Sequence, residues 1–405
     1  MLTFRYDPSI GKSERGNNQV SFCYYSEDLE RQQSLLKDIL PIAEKLLKKS
    51  IRKQLRKSKT IAISMGSGID TTILLAIIRE ELPDVHIIGL TMAFGNSSVT
   101  DETDQASKIA EHFGIECHKI YQFNVLEELP LNIAIVGEPR WNTYYYYIAK
   151  SALSLGSNAI ITGDGADEVF GGYTFRYEKY LKLLDNLNNI TWKAKAWSYM
   201  RCHERDWVDD QEKIFGSRIR FDWTHILSII KPFFDNSLNP LQQVFLADYN
   251  GKLIHDFIPT NKKINHYLGL KGILPFLEDE TVSLGLHLPI NYKYEYDSGL
   301  GKIALRKMLE SKGLLFLVAP YKIAFGPDPL LLWKNYAKEI CAKYLEMPEI
   351  VKQGLISKEW LSINLNEQCK DVRVANKLIT ILSLELWYRI FISKTLSAKA
   401  KLSIN

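Results

Sequence analysis

The spacing of apolar residues changes twice along the chain and divides it into three regions. Between residues 34 and 57 apolar positions recur at steps of three and four, as on one face of a helix. Short β-rich runs then alternate with helical patterns. We predict strands at 60–65, 85–94, 116–120 and 158–162, and helices at 71–82, 101–113 and 144–155. Strands alternating with helices of this length predict an α/β fold with a parallel sheet flanked by helices on both faces.

Beyond residue 180 the β signal fades and helix-like segments dominate, with irregular stretches expected near 257–276 and 287–301. The apolar stretch 378–392 is interrupted by Glu385 and Arg389, so it predicts a buried helix rather than a membrane span. The predicted organisation is a polar lead-in, an ATP-binding α/β unit and a mainly helical region that completes the site, at residues 1–33, 34–180 and 181–405.

Composition narrows the class of protein without identifying it. Among 405 residues, 51 basic and 47 acidic side chains leave a formal charge of +4, which does not favour a protein built mainly to bind nucleic acid or anionic membranes. The lysines and arginines on the first helix are interpreted as a solvated outer face, with an RNA or membrane surface as the alternative. Five widely spaced cysteines and no secretory signal predict a cytoplasmic protein without a disulfide framework.

Two glycine-rich loops follow predicted strands, and the first reads SMGSGIDTT. Gly66 and Gly68 permit a tight turn that exposes backbone N–H groups, while Ser67 and Thr71 add hydroxyl donors. The next helix points its positive N-terminus at the same place, so the loop is suited to pyrophosphate. Asp70 offers an oxygen ligand to Mg²⁺. A plain connection between strand and helix is the alternative.

The second loop, TGDGADEVFGGY, begins at Thr162 and places three carboxylates between glycines such as Gly163. These carboxylates belong to Asp164, Asp167 and Glu168. Unpaired carboxylates at this density repel one another, so a cation or a metal bound to polyphosphate is their natural partner. An exposed acidic turn is the alternative, but it does not need so many glycines.

Together the two loops resemble the synthetase domain of asparagine synthetases, which belong to the PP-loop, or N-type, ATP pyrophosphatases. That family carries S-G-G-x-D-S and G-E-G-(S/A)-D-E-(I/L)-F-G-G-Y segments, and GDGADEVFGGY at 163–173 is the most specific match here. Further similar segments are PFLE at 275–278, GKIALR at 301–306 and KIAF at 322–325. The resemblance covers residues 35 to 395.

The resemblance implies a ligase that uses ATP and Mg²⁺. In the family a substrate carboxylate attacks the α-phosphate of ATP, pyrophosphate leaves, and ammonia or an amine displaces AMP to form an amide. Asp70 and Asp167 are implied to bind Mg²⁺, and Asp164 matches a glutamate thought to deprotonate the amine. Lys302 and Lys322 match two lysines that stabilise charge on the phosphates and the adenylate. The residues implied to bind ATP are Gly66, Ser67, Gly68, Asp70, Thr71 and Gly163.

Four departures from the family pattern shape the expectation. Leu2 stands where glutamine-using members have a catalytic cysteine, so we expect no glutamine hydrolysis here, and a separate glutaminase subunit becomes one source of ammonia. Ser67 and its neighbouring glycine are exchanged relative to the usual order, and Asp164 is one methylene shorter than glutamate. Lys271 and Ile273 replace the usual glutamate and arginine, which predicts a changed charge near an unusual substrate.

The expected partners are therefore a small-molecule carboxylate and ammonia or an amine, with neither nucleic acid nor membrane. Two alternatives stay open. An intramolecular cyclase similar to β-lactam or macrolactam synthetases would need no ammonia, and a degenerate nucleotide-binding subunit would tolerate the changes at Ser67, Lys271 and Ile273. An RNA-modifying PP-loop enzyme is less supported, since no appended RNA-binding module is visible.

Overall fold

A parallel β-sheet organises the computed structural model, which describes residues 2–4, 6, 39–56, 58–95, 101–319, 326–366 and 369–403. Within these residues the strands are β1 (Thr60–Ser64), β2 (His86–Ala93), β3 (Glu116–Tyr121), β4 (Ala159–Ile161) and β5 (Lys271–Ile273). Their spatial order is β3-β2-β1-β4-β5, and every neighbouring pair is parallel. A separate antiparallel pair joins β6 (Tyr294–Glu295) to β7 (Leu300–Gly301).

Helices cover the sheet and form most of the later half of the chain. Those before β5 are α1 (Ile39–Leu55), α2 (Ile69–Glu81), α3 (Thr103–His112), α4 (Leu129–Val136), α5 (Tyr145–Ser154), α6 (Ala166–Phe170), α7 (Thr174–Asp185), α8 (Trp192–Cys202), α9 (Trp223–Phe234), α10 (Pro240–Asp248) and α11 (Ile258–Leu268). Those after it are α12 (Asp279–His287), α13 (Ile303–Ser311), α14 (Pro329–Leu332), α15 (Lys338–Tyr344), α16 (Glu349–Lys352), α17 (Lys358–Asn366) and α18 (Val372–Phe391). Segments of π-helix at Tyr249–Phe257 and Trp333–Ala337 continue neighbouring helices.

Alternate side chains of β1 enter two different cores, as the pleat of a strand requires. Ile61 and Ile63 pack on one face with apolar residues of α1 and α2. Ala62 packs on the other face with residues of α5 and α18. Both faces of the sheet are therefore buried, which explains why consecutive residues in the centres of these strands, such as Ile61, Ala62 and Ile63, are all apolar.

The predicted α/β fold is confirmed, and the early elements lie close to their predicted positions. The prediction of irregular chain near 257–276 is wrong, because α11 and β5 occupy most of it. Pro259 is the second residue of α11, and Gly269 ends the helix at φ 71°. β5 is a three-residue strand that forms by pairing with β4.

Basic residues on α1 are paired within the protein. Lys48 contacts Glu44 and Glu80, while Arg52 contacts Glu81. Lys49 and Lys53 reach acidic residues at the start of α12 and just before it. These ion pairs, most of which join α1 to neighbouring elements, explain why α1 carries so many basic residues.

The predicted buried helix at 378–392 corresponds to the later part of α18, which ends at Phe391. Glu385 on this helix is fully buried and accepts hydrogen bonds from the backbone N–H groups of Glu349 and Ile350, which begin α16. The buried carboxylate thus caps a neighbouring helix, which explains an acidic residue in an apolar stretch. Among the described residues, no helix combines the length and apolar character needed to cross a bilayer.

Candidate active site

The two glycine-rich loops meet at one point of the sheet. β1 pairs with β2 on one side and with β4 on the other. The strand order therefore reverses direction at β1, which makes this a topological switch point of the sheet. Ligands of open α/β sheets bind at such switch points, beyond the carboxyl ends of the strands. The loops touch directly there, since a Cβ on Gly163 would lie 2.8 Å from Asp70 Cβ.

A lysine from the helical region joins the loops. Lys302 Nζ lies 2.6 Å from both carboxylate oxygens of Asp70 and 2.5 Å from Asp167 Oδ1. The side chain of Lys302 is 6% exposed, against 17% for Asp70 and 15% for Asp167. Two carboxylates from different loops therefore converge on one cation in a largely water-excluded place.

The backbone at Lys302 is held in an unusual conformation. Its φ is 55°, in the left-handed region that residues with a Cβ rarely adopt. Its N–H donates to the Gly171 carbonyl (3.1 Å), which ties the start of α13 to the second loop. The hydrogen bond to Gly171 holds the backbone of Lys302, and the ion pairs with Asp70 and Asp167 hold its ammonium between the two carboxylates. These contacts stabilise the strained backbone conformation.

Gly172 leaves space that the ion cluster fills. A Cβ at this position would lie 1.8 Å from Asp167 Oδ1 and 2.5 Å from Lys302 Cε. Gly165, which begins α6, adopts φ 89°, and a side chain there would also overlap Leu277. Glycine is required at position 172 because the side chains of Asp167 and Lys302 come so close, and at position 165 because of its positive φ and the nearby Leu277 side chain.

Asp164 lies beside the cluster in a hydrogen-bonded setting. Its Oδ2 accepts from Thr162 Oγ1 (2.8 Å) and from Asn261 Nδ2 (2.9 Å) on α11. Burial raises the pKa of the Asp164 carboxyl, the two hydrogen bonds oppose this, and the charges of Asp167 and Asp70 add to the rise. A carboxylate with a raised pKa is a stronger proton acceptor, which suits a general base.

Ser67 in the first loop is engaged by an acidic residue. Its hydroxyl donates to Glu102 Oε1 at 2.6 Å, and Ser67 is only 2% exposed. A Cβ on Gly66 would lie 3.0 Å from Glu102 Oε2, so this carboxylate lies against the loop itself. Thr72, also in the loop, donates to the Gly68 carbonyl and holds the first turn of α2.

A buried polar network lies behind the second loop. Glu168 accepts from the Tyr173 hydroxyl (2.8 Å), and burial followed by the nearby Asp167 charge raises the pKa of Glu168 to about 7. The Arg176 guanidinium stacks on the Tyr173 ring at 3.9 Å and pairs with Asp248 at 3.0 Å. This network fixes the short helix α6 that carries Asp167.

The carboxylates at this place can be compared with the ligands that Mg²⁺, the metal implied by the resemblance, prefers. Asp70 and Asp167 already share one cation, the ammonium of Lys302. Among the described residues no group of three or more His, Cys, Asp or Glu side chains is arranged to hold a metal. Mg²⁺ commonly binds through one or two carboxylates, with waters and substrate phosphates completing its shell. The two carboxylates therefore fit Mg²⁺ bound together with a polyphosphate.

The structure brings together most of the residues selected from the sequence. The loop residues Gly66, Ser67 and Gly68, together with Asp70 and Thr71, form the turn that begins α2. Gly163, Asp164, Asp167 and Lys302 surround it. Lys322 and the rest of KIAF lie outside the described residues, so the predicted role of that lysine stays a prediction.

One expectation about the substrate region is wrong. Lys271 is exposed at the amino-terminal end of β5, and its ammonium donates to the Gln54 carbonyl at the end of α1. The carboxyl ends of the strands, where the loops lie, are at the opposite edge of the sheet. Ile273 is fully buried in the core. These two replacements therefore do not change the charge at the ion cluster.

Sequence reasoning missed Glu102 and Asn261. Glu102 is at the start of α3, and nothing in its spacing indicates that it reaches Ser67. Asn261 is on α11, in the region expected to be irregular. The proline and glycine that bound α11 are the signals that could have revealed that helix.

Comparisons with known proteins show the family of this chain. A family model described as asparagine synthase matches residues 43–389. A putative glutamine-hydrolyzing asparagine synthetase of Mycobacterium tuberculosis (strain ATCC 25618 / H37Rv) is 23% identical over 379 residues, covering 86% of this chain and 57% of the relative. Asparagine synthetase 1 of Bacillus subtilis (strain 168), also glutamine-hydrolyzing, is 22% identical, covering 85% and 58%. The chain thus spans somewhat more than half the length of these relatives.

Among solved structures, a U34-tRNA thiolase from Methanococcus maripaludis is similar at a TM-score of 0.31 and 14% identity, covering 82% of this chain and 81% of that one.

Proposed function

Because the chain belongs to the asparagine synthase family, we propose that it is an ATP-dependent ligase that adenylates a carboxylate and transfers the acyl group to ammonia or an amine. The observation that carries this proposal is the convergence of Asp70, Asp167 and Lys302 at the switch point of the sheet. The α/β unit at 34–180 would bind ATP, and residues 181–405 would supply Lys302 and Asn261 to the same site.

The first loop would hold the pyrophosphate portion of ATP. Its backbone N–H groups, the Thr71 hydroxyl and the positive end of α2 all favour an anion. Asp70 and Asp167 would hold Mg²⁺, which when bound neutralises charge on the phosphates. Lys302 would then move from the carboxylates to the phosphate oxygens, where a fixed ammonium stabilises charge developing on the leaving pyrophosphate.

The first chemical step is a displacement at phosphorus. An oxygen of the substrate carboxylate bonds to the α-phosphorus, the bond from that phosphorus to the bridging oxygen of the β-phosphate breaks, and pyrophosphate leaves with the electron pair. The product is a mixed anhydride of the acyl group and AMP. Lys302 would stabilise negative charge in this step. We propose the same role for Lys322, because its KIAF segment matches a family segment that carries such a lysine.

The second step forms the amide. The nitrogen of ammonia or an amine attacks the acyl carbon, the acyl–oxygen bond breaks, and AMP leaves. Asp164 is proposed to accept the proton that the nitrogen loses, because burial raises the pKa of its carboxyl and Thr162 and Asn261 hold it in place.

The test is a screen for pyrophosphate release from Mg-ATP over pairs of carboxylates and amines, beginning with aspartate and ammonia. We expect AMP and pyrophosphate in equal amounts with at least one pair, and a loss of about 100-fold or more in Asp70→Asn. ADP as product, or equal pyrophosphate release by the variant, would overturn the proposal. Reactions without added ammonia identify a substrate that carries its own amine.

A further inference from the structure

The Glu102 side chain lies against the first loop, which is suited to phosphate. Its Oε1 accepts from Ser67 Oγ at 2.6 Å, and its Oε2 would lie 3.0 Å from a Cβ on Gly66. Glycine turns that lead into a helix present N–H groups and a positive dipole to anions. The Glu102 carboxylate, held by the Ser67 hydroxyl, therefore brings a negative charge to the loop at which phosphates would bind.

Ser67 is the residue that makes this contact possible. In the S-G-G-x-D-S pattern its position is a glycine, and the hydroxyl that holds Glu102 is absent from a glycine. Ser67 is 2% exposed, so its hydroxyl is committed to the carboxylate rather than to solvent. The exchange of serine and glycine in this loop thus introduces a hydrogen bond from the loop to α3.

The backbone of Glu102 is held by α3. It is half-buried at the start of α3, where its backbone carbonyl accepts from the Ala106 N–H at 2.9 Å. The neighbouring Asp101 accepts from the Thr103 N–H at 2.8 Å. The carboxylate is therefore delivered to the loop from an ordered helix terminus.

We propose that Glu102 competes with the phosphates of ATP for the first loop and thereby sets the nucleotide affinity of the enzyme. Nucleotide binding requires the Ser67–Glu102 hydrogen bond to open, so that the carboxylate moves away from the loop before the phosphates bind there. Departure of pyrophosphate allows Glu102 to return, which favours release of that product. This inference rests on the proposed function, since it assumes that ATP binds at this loop.

Glu102→Gln tests the charge alone, because the amide oxygen of glutamine can still accept from Ser67. Removing one negative charge from an anion site should lower the Kd for Mg-ATP and the inhibition constant for pyrophosphate about tenfold, with little change in kcat. Ser67→Gly, which removes the hydroxyl, should shift both constants in the same direction. Glu111→Gln on the exposed end of α3 is the matched control and should change neither constant.

The outcomes separate this inference from the proposed function. Titration calorimetry that finds Mg-ATP binding unchanged or weaker in Glu102→Gln, with the wild type binding normally, overturns the competition and leaves the ligase proposal standing. If neither protein binds Mg-ATP, both proposals fail. Weaker binding in Ser67→Gly would also overturn the competition, because losing the hydrogen bond that holds Glu102 would then not favour the nucleotide.

Discussion

Replacing Lys302 with methionine removes the charge from the ion cluster while keeping most of the side-chain stem. The ammonium contacts Asp70 at 2.6 Å and Asp167 at 2.5 Å, and all three side chains are at most 17% exposed. Without it, two carboxylates from different loops would face each other with no shared cation. We therefore expect Lys302→Met to destabilise the protein when no metal is present.

The magnitude follows from the burial of the cluster. Removing one partner from a buried ion pair costs about 3–5 kcal/mol, and the partial exposure of Asp70 and Asp167 points to the lower end, about 3 kcal/mol. For a chain of 405 residues this corresponds to a fall of roughly 4 °C in the unfolding midpoint. Mg²⁺ at ten times its Kd should restore about 1.4 kcal/mol, because it can replace the lost ammonium.

The assay is urea and thermal unfolding of the wild type and the variant, each with and without Mg²⁺. Lys312→Met is the matched control, since Lys312 follows the last residue of the same helix, α13, and bridges Glu44 (2.8 Å) and Glu80 (2.6 Å) away from the loops. It should lose stability without gaining a Mg²⁺ response. A loss below about 1 kcal/mol in Lys302→Met, or an equal Mg²⁺ response in both variants, would refute the reasoning.

Three further predictions test other parts of the account. Gly172→Ala places a methyl group 1.8 Å from Asp167 Oδ1 and should abolish activity and lower the unfolding midpoint; a normal midpoint with full activity would contradict the geometry of the cluster. Lys293 is 1% exposed with its ammonium over the Phe245 ring, and burial lowers its pKa to about 7. A lysine whose pKa is depressed in the folded state lowers stability as the pH falls from the unfolded-state pKa toward 7. Lys293→Met should therefore stabilise the protein by about 4 kcal/mol at pH 7 and by much less at pH 10, measured by urea unfolding. A gain that is the same at both pH values would exclude this cause. Asp164→Asn should keep ATP–pyrophosphate exchange but slow amide formation about 100-fold, and equal loss of both would place Asp164 in the first step instead.

The sheet could be predicted because its strands carry their own signal. Thr60–Ser64 and His86–Ala93 carry short runs rich in apolar and β-branched residues, and each is followed by a helical pattern with a clear end. β5 could not be found in the same way, since Lys271 and Gly272 have no β-strand character. Its three residues become a strand only because β4 offers an unpaired edge.

The part of the site formed by the two loops could be predicted, because the order of strands and helices along the chain determines where those loops lie. Both loops follow neighbouring parallel strands, so Asp70 and Asp167 were expected at the same edge. Lys302 lies more than 200 residues from Asp70, and only its resemblance to a family segment placed it there. Contacts made by long side chains across elements, such as Glu102 with Ser67 and Asn261 with Asp164, have no periodic pattern and depend on tertiary packing.

The central claim is that a carboxylate attacks the α-phosphate of ATP, and isotope transfer tests it most directly. The carboxylate that supports pyrophosphate release is labelled with ¹⁸O, and the nucleotide and phosphate products are examined by mass spectrometry after one round of amide formation. We expect one ¹⁸O atom in AMP and none in pyrophosphate. Label in orthophosphate together with ADP, or AMP that carries no label, would contradict it.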